Sequence, residues 1–293
     1  MKLLSNKSLE FLDTIHSPKL IAMDVDGTLV PHGGTVSEYT RKMLVYARNK
    51  GIEVVLVTAR PPRWLGPVVE ALGFPTVAIC GNGAITVHTK DFSVLNMVAI
   101  AKDVASTVVK EMKKIVPDVV FAAEAVDVLR AGPGYQDLPP GVRQAEGLVP
   151  EDRYKTILSL NSLDEMLKPD VYKIVAETFI LDAEEFLEKA REAVGEIVAV
   201  TRSVAGRAYI EFGPLGLSKA ETLADYSDGL GFGASEVIAF GDMPNDIEML
   251  QWAGTGVAMG NSHADLIQVA NLVAPDAAED GIAIVLEHIL SRK

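Results

Sequence analysis

The sequence contains one cysteine, Cys80, among its 293 residues. A single cysteine excludes an internal disulfide and a zinc site built from cysteines. The apolar residues before Cys80 in TVAICGNG favour a packed thiol over a reactive one. The five histidines include no closely spaced pair typical of a metal site.

Basic residues are scarce relative to acidic ones. The chain has 27 Lys and Arg against 40 Asp and Glu, a formal net charge of −13, and no run of like charge. Because non-specific nucleic-acid binding requires a basic surface, we predict no nucleic-acid partner. An acidic protein that handles anions must gather positive charge locally, through a metal ion or a few placed Lys and Arg.

Long apolar runs are also missing. No stretch approaches the ~18 uninterrupted apolar residues of a membrane span. The N-terminal MKLLSNKSLEFLDTIHSPKL lacks the apolar segment and the cleavage pattern of a signal peptide. We therefore expect no membrane partner and a cytoplasmic location, and the 48% hydrophobic content is ordinary for a globular protein.

Strands and helices alternate at both ends of the chain. KLIAMDV, IEVVLVTA, TVAIC, EVIAFG and GVAMG have the apolar pattern of strands buried on both faces, which favours a parallel sheet. Between these two regions, closely spaced strands and a few helices are typical of an antiparallel α+β arrangement. We predict an α/β core of residues 1–84 and 206–293 with an inserted α+β domain of residues 85–205.

Two acids interrupt the apolar stretch LIAMDVDGTLV. A turn or a helix cap explains Asp26, but Asp24 follows LIAM while the strand is still running. Burying adjacent acids is costly unless a cation or hydrogen bonds compensate. Open parallel sheets bind ligands at the carboxyl ends of their strands, where this pair is predicted to lie.

Two further segments carry polar residues at predicted strand or helix ends. VLVTAR places the Thr58 hydroxyl and the Ala59 amide where they can hold a phosphate oxygen. In SKAETL, Ser218 is a predicted N-cap, and Lys219 lies beside the positive end of the helix dipole, which is unfavourable unless an anion binds there.

The segment EVIAFGDMPNDIEML places Asp242, Asn245 and Asp246 on one loop between a strand and a helix. One helix cap does not account for three such side chains. Oxygen-rich groups of this kind favour a hard cation such as Mg²⁺.

The segments DVDGT, VLVTAR, SKAETL and GDMPNDIEML resemble, in this order, the four motifs of the haloacid dehalogenase-like superfamily of phosphotransferases. The insertion resembles the Cof-type cap of that superfamily, and the resemblance covers nearly the whole chain. It implies a Rossmann-like parallel-sheet core with an inserted α+β cap.

The resemblance implies that Asp24 is the nucleophile, forming an aspartyl-phosphate, and that Asp26 is the general acid and then the base. Mg²⁺ would be held by the Asp24 side chain, the Asp26 backbone carbonyl and Asp242. The cation-pump branch carries Thr in place of Asp26, so an acid here favours hydrolysis of the phosphoenzyme.

The resemblance also implies a group of phosphate- and substrate-binding residues: Thr58, Ala59, Lys219, Asn245 and Asn82. It implies supporting roles for Asp246 and Arg60.

The expected activity is Mg²⁺-dependent hydrolysis of a small phosphorylated metabolite, with a sugar phosphate as the favoured class. The alternatives are a phosphomutase of the same superfamily and a noncatalytic metabolite-binding protein. The specific substrate and the oligomeric state stay open.

Overall fold

The computed structural model describes residues 10–135, 156–202 and 207–291. The strands in these ranges are β1 (Leu20–Met23), β2 (Glu53–Val57), β3 (Val77–Cys80), β4 (Ile85–His88), β5 (Ser93–Met97), β6 (Val120–Glu124), β7 (Leu129–Ala131), β8 (Ile157–Ser159), β9 (Lys173–Glu177), β10 (Val198–Thr201), β11 (Tyr209–Pro214), β12 (Val237–Gly241), β13 (Thr255–Ala258) and β14 (Leu272–Val273).

The α-helices are α1 (Glu38–Asn49), α2 (Gly66–Leu72), α3 (Lys102–Ile115), α4 (Leu163–Met166), α5 (Ala183–Val194), α6 (Lys219–Gly229), α7 (Ile247–Trp252), α8 (Ala264–Val269) and α9 (Gly281–Leu290). None of the described helices has both the length and the apolar character needed to cross a membrane.

An eight-stranded sheet, in the order β14-β13-β12-β1-β2-β3-β4-β5, forms the larger layer. The pairs from β14 to β3 are parallel. Along β1, Ile21 and Met23 pack in one buried cluster with residues of α1 and α9, while Leu20 and Ala22 pack on the opposite face with residues of α6 and α7. The period-2 alternation of side chains thus buries both faces, which confirms the predicted α/β class.

The position of the site follows from the central strands of this sheet. Because β12, β1 and β2 are parallel neighbours, their carboxyl ends lie side by side at one edge. The residues that come directly after them are Asp242, Asp24 and Thr58. The sheet therefore brings three of the predicted site residues to one edge.

A six-stranded sheet, in the order β10-β11-β9-β6-β7-β8, forms the second layer. All of its pairs are antiparallel except β7 with β8. One face is covered by α3 and α5, whose Met112 and Phe186 pack in a cluster with Ile174 and Phe212 of the sheet. This layer has the α+β character predicted for the insertion.

The chain passes from the larger to the smaller sheet after Met97 and returns after Pro214, later at both ends than the predicted division at 84/85 and 205/206. β4 pairs antiparallel with β3 across a tight turn, and β5 pairs with β4, so this hairpin extends the larger sheet. The apolar pattern of a hairpin strand is the same whichever sheet it joins, so the sequence alone does not assign this segment to a sheet.

Two glycines with positive φ provide a test of the packing between this turn and α6. A Cβ on Gly83, whose φ is +107°, would lie 2.4 Å from the backbone oxygen of Ser218, whereas Gly51, with φ +83°, has nothing within 4 Å. We expect Gly83→Ala to lower the free energy of unfolding by about 2–4 kcal/mol, because backbone strain and the close contact add. Gly51→Ala should cost only about 1 kcal/mol, from strain alone. Urea unfolding of both variants measures the difference, and equal losses would contradict this packing.

Candidate active site

Backbone hydrogen bonds of the larger sheet fix Asp24 and Thr58 at its edge. The Asp24 amide donates to the Phe240 carbonyl at 3.0 Å, and the Thr58 amide donates to the Ile79 carbonyl at 2.8 Å. Asp24 and Asp242 are 5% and 1% exposed. The sheet thus holds these carboxylates in a buried position before any ligand binds.

Lys219 connects the first and last motifs. Its Nζ lies 2.6 Å from Asp24 Oδ1 and 2.6 Å from Asp246 Oδ1, and its side chain is 2% exposed. The predicted N-cap is confirmed, because Ser218 Oγ accepts from the Glu221 amide at 3.4 Å. The start of α6 therefore places one ammonium between two buried carboxylates, which offset its unfavourable place on the helix dipole.

Asp246 organises the loop after β12. One of its oxygens binds Lys219, and the other accepts from the amides of Asp242 and Met243, both at 3.1 Å. Both oxygens are therefore engaged within the protein. This arrangement suits the supporting role that the sequence predicts for Asp246.

The residues present fit a hard cation. Asp24, Asp242 and Asp246 each offer an oxygen within 4.8 Å of the others. Because both Asp246 oxygens are already engaged, Asp24 and Asp242 are the side chains best placed to act as ligands. Thr28 Oγ1 orients Asp242 by donating to its Oδ1 at 2.8 Å. Carboxylate oxygens are the donors that Mg²⁺ prefers.

The electrostatics also indicate a missing positive charge. Burial raises the pKa of Asp24 to about 7; Lys219 opposes this shift, and Asp246 and Asp26 add to it. Burial likewise raises the pKa of Asp242 to about 8, with further increases from Asp24 and Asp246. One lysine does not compensate this group of acids, and a bound cation would stabilise their ionised forms.

Arg60 holds Asp26 at the rim of the site. Arg60 Nε and Nη2 donate to the two carboxylate oxygens of Asp26 at 2.8 and 2.6 Å. The arginine side chain is 4% exposed and the aspartate side chain 44%. Such a two-pronged pair fixes the direction of the carboxylate as well as its position.

Asn82 joins the remaining predicted residues. Its amide donates to the Thr58 carbonyl at 3.1 Å, and its Oδ1 accepts from Asn245 Nδ2 at 3.0 Å. Thr58 Oγ1 in turn accepts from the Arg60 amide at 3.1 Å. Asn245 Oδ1 is buried with no hydrogen-bond partner among the described residues, so it has an acceptor to offer a ligand.

The structure places the predicted residues in two connected groups. Asp24, Lys219, Asp246 and Asp242 form one, and the second is made of the other predicted residues: Asp26, Thr58, Ala59, Arg60, Asn82 and Asn245. Both lie at the carboxyl edge of the larger sheet, since every member except Lys219 follows β1, β2, β3 or β12. Lys219, at the start of α6, reaches this edge through its bond to Asp24.

Three residues near the site have no role predicted from the sequence: Thr28, Lys173 and Glu211. Thr28 lies within the motif DVDGT. Lys173 Nζ donates to the Ala59 carbonyl at 2.9 Å and to Glu211 Oε1 at 2.7 Å. The available indication was a charged residue inside each of the apolar strands VYKIVAET and YIEFG.

Comparisons with known proteins identify the family to which this chain is similar. The family of haloacid dehalogenase-like hydrolases matches residues 21–286. The 5-amino-6-(5-phospho-D-ribitylamino)uracil phosphatase YitU of Bacillus subtilis is 29% identical over 94% of this chain and 98% of its own length. The pyridoxal phosphate phosphatase YbhA of Escherichia coli is 27% identical, over 93% and 99%. The solved structure of BT1666 from Bacteroides thetaiotaomicron, a protein of the HAD enzyme superfamily, superimposes on this chain with a TM-score of 0.78 at 26% identity. The match covers 94% of this chain and 97% of that one.

Removing the Lys219 ammonium tests how much it contributes to stability. We expect Lys219→Met to lower the free energy of unfolding by about 3–5 kcal/mol, because it leaves Asp24 and Asp246 buried without their partner. Lys102→Met is the matched control: Lys102 pairs with Asp164 at 2.8 Å, but the two side chains are 47% and 80% exposed. That change should cost less than about 1 kcal/mol. Urea unfolding in metal-free buffer measures both, and similar small losses would contradict the central role of Lys219.

Proposed function

The chain belongs to the haloacid dehalogenase-like hydrolases, and from this membership we propose that it is a Mg²⁺-dependent phosphatase acting on a small phosphorylated metabolite through an aspartyl-phosphate. The predicted enzyme class, a phosphoric monoester hydrolase, is confirmed by the family match and by relatives named as phosphatases. The observation that carries the finer proposal is the buried Asp24, which is held at the sheet edge by Lys219 and surrounded by oxygen donors.

A sugar phosphate is the proposed substrate class. The name of YitU describes a phosphate ester on a ribityl chain, which is a polyol. The name of YbhA describes a phosphate ester of a small cofactor. Both names support a small hydroxylated or polar leaving group for this chain.

In the proposed first step, a carboxylate oxygen of Asp24 attacks phosphorus, and the bond from phosphorus to the leaving oxygen breaks. Asp26 gives a proton to that oxygen, which requires its carboxyl group to turn from Arg60. Lys219, the Thr58 hydroxyl and the Ala59 amide hold the phosphoryl oxygens. The sheet sets the positions of Thr58 and Ala59 in advance, and the start of α6 sets that of Lys219, so these groups need little reorganisation.

In the second step, Asp26 takes a proton from water as the water oxygen attacks phosphorus, and the bond between phosphorus and Asp24 breaks. Inorganic phosphate leaves and Asp24 is restored. The Asp24 side chain, the Asp26 carbonyl and Asp242 would hold Mg²⁺, which when bound neutralises charge on the phosphoryl oxygens.

The two acids are expected to be unequal in kinetic tests. Asp24→Asn should abolish both turnover and phosphoenzyme formation, because the nucleophile is removed. Asp26→Asn should slow turnover by about 10²–10⁴-fold, the usual contribution of a general acid–base group. Hydrolysis of p-nitrophenyl phosphate and acid-quench trapping of phosphoenzyme measure these effects. Full activity in both variants would contradict the mechanism, and an isomerised sugar phosphate without free phosphate would indicate a phosphomutase.

Metal dependence provides a second test, which includes a residue that orients a proposed metal ligand. EDTA should abolish hydrolysis and Mg²⁺ should restore it. We expect Thr28→Val to weaken Mg²⁺ binding by about tenfold, because Asp242 loses the hydroxyl that orients it. Thr107→Val, on the exposed face of α3, is the control. Mg²⁺ titrations followed by calorimetry and by activity measure the affinity, and equal affinities in the two variants would count against the proposed site.

A further inference from the structure

The loop between β13 and α8 (residues 259–263) borders the proposed Mg²⁺ site. β13 pairs with β12, and the other neighbour of β12 is β1. The Met259 amide donates to the Gly241 carbonyl at 3.1 Å, and the His263 amide donates to the Asp242 carbonyl at 2.8 Å. This loop therefore holds the backbone of Asp242 from the β13 side.

Asn261 extends from this loop to the turn that follows β1. Its Nδ2 donates to the Gly27 carbonyl at 2.8 Å, and its Oδ1 accepts from the Ala277 amide at 3.0 Å. Because a backbone amide can only donate, the contact with Ala277 identifies the facing atom as Oδ1 and leaves Nδ2 for Gly27. In the sheet, β12 lies between β13 and β1, so the bond to Gly27 crosses the end of β12, where Asp242 lies.

The turn at Gly27 packs directly against the carboxylate of Asp242. Gly27 has a φ of +80°, and a Cβ at this position would overlap Asp242 Oδ2, so only glycine allows the approach. The next residue, Thr28, donates to Asp242 Oδ1 at 2.8 Å. The turn therefore lies against both oxygens of this proposed metal ligand.

The same turn carries the Asp26 carbonyl, which is also proposed to hold Mg²⁺. This carbonyl belongs to the peptide group that enters Gly27, whose amide donates to the Val30 carbonyl at 2.9 Å. Since a peptide group is planar, its direction is set by that bond on one side and by the bond from Asn261 to the Gly27 carbonyl on the other. Mg²⁺ demands near-ideal octahedral geometry, so its binding is sensitive to small shifts of such a ligand.

We propose that Asn261 is a positioning residue of the Mg²⁺ site, which sets the separation between the Asp26 carbonyl and the Asp242 carboxylate. The inference rests on the proposed Mg²⁺-dependent function and extends it to a residue outside the four motifs. Asn261 acts through Gly27 and contacts neither the ion nor the substrate. Because Asn261 itself is exposed, its loss should affect the metal site more than the fold.

Calorimetric titration with Mg²⁺ compares the wild-type protein with Asn261→Ala and Asn261→Leu. We expect both variants to bind Mg²⁺ at least about tenfold more weakly, the effect typical of residues that orient metal ligands. Leucine is close to asparagine in size and shape but has no donor. Equal losses in the two variants would therefore assign the effect to the hydrogen bond and not to the space that the side chain fills.

Asn271 provides the matched control at the other end of β13. It is also exposed, and its Oδ1 accepts from the Gly256 amide at 2.6 Å, near the start of that strand. Asn271→Ala and Asn271→Leu should leave the affinity for Mg²⁺ unchanged, although each loses a bond of the same kind. Urea unfolding in metal-free buffer checks that all four variants are folded.

Activity measurements separate a metal defect from a general one. At limiting Mg²⁺, Asn261→Ala should hydrolyse p-nitrophenyl phosphate more slowly than the wild-type protein. At saturating Mg²⁺, kcat should return to within about twofold of the wild-type value, because excess metal overcomes weaker binding by mass action. A residue that only supported the fold, or that bound the substrate, would not be rescued in this way.

Wild-type affinity for Mg²⁺ in either Asn261 variant would overturn the inference, and so would a loss of activity that saturating Mg²⁺ does not restore. Equally weak binding in the Asn271 variants would overturn it too, because it would show a general effect of loosening β13. In those cases the proposed function stands. Only a wild-type protein that hydrolyses phosphate esters equally well in EDTA, or not at all in Mg²⁺, would overturn both.

Discussion

The contact of Lys219 with Asp24 and Asp246 is the interaction on which the site depends. It joins residues 195 positions apart and is almost completely removed from water. Without the ammonium, two carboxylates would be buried side by side, and each would disfavour ionisation of the other. With it, Asp24 is held at the end of β1 and Asp246 can organise the loop after β12. The remaining excess of negative charge is what makes this edge suited to a cation.

The two sheets divide the proposed chemistry. The larger sheet supplies the groups that act on phosphorus, because its parallel strands end together at one edge. The smaller sheet contacts that edge through Lys173, which bonds to Ala59, and Glu211, which bonds to Asn82.

Much of the site was predictable because its residues carry local signatures. An acid within an apolar strand, as at Asp24, is costly enough to indicate compensation. Ser218 preceding a helical segment is a recognisable N-cap, and the structure has it there. The same reasoning does not assign β4, β5 and β11 to a sheet, since an apolar strand pattern does not specify which sheet the strand will join. Thr28 was overlooked because a threonine after a turn has many local explanations.

The sequence by itself determined the alternation of strands and helices, the burial of the central strands and the acids at their ends, because these depend on periodicity and on near neighbours in the chain. Only the tertiary structure decided that Arg60 pairs with Asp26 and that Lys173 meets Glu211 and Ala59. Those contacts depend on strand register and on how the two sheets face each other. How the two sheets face each other is set by the packing of distant segments, which no local pattern encodes.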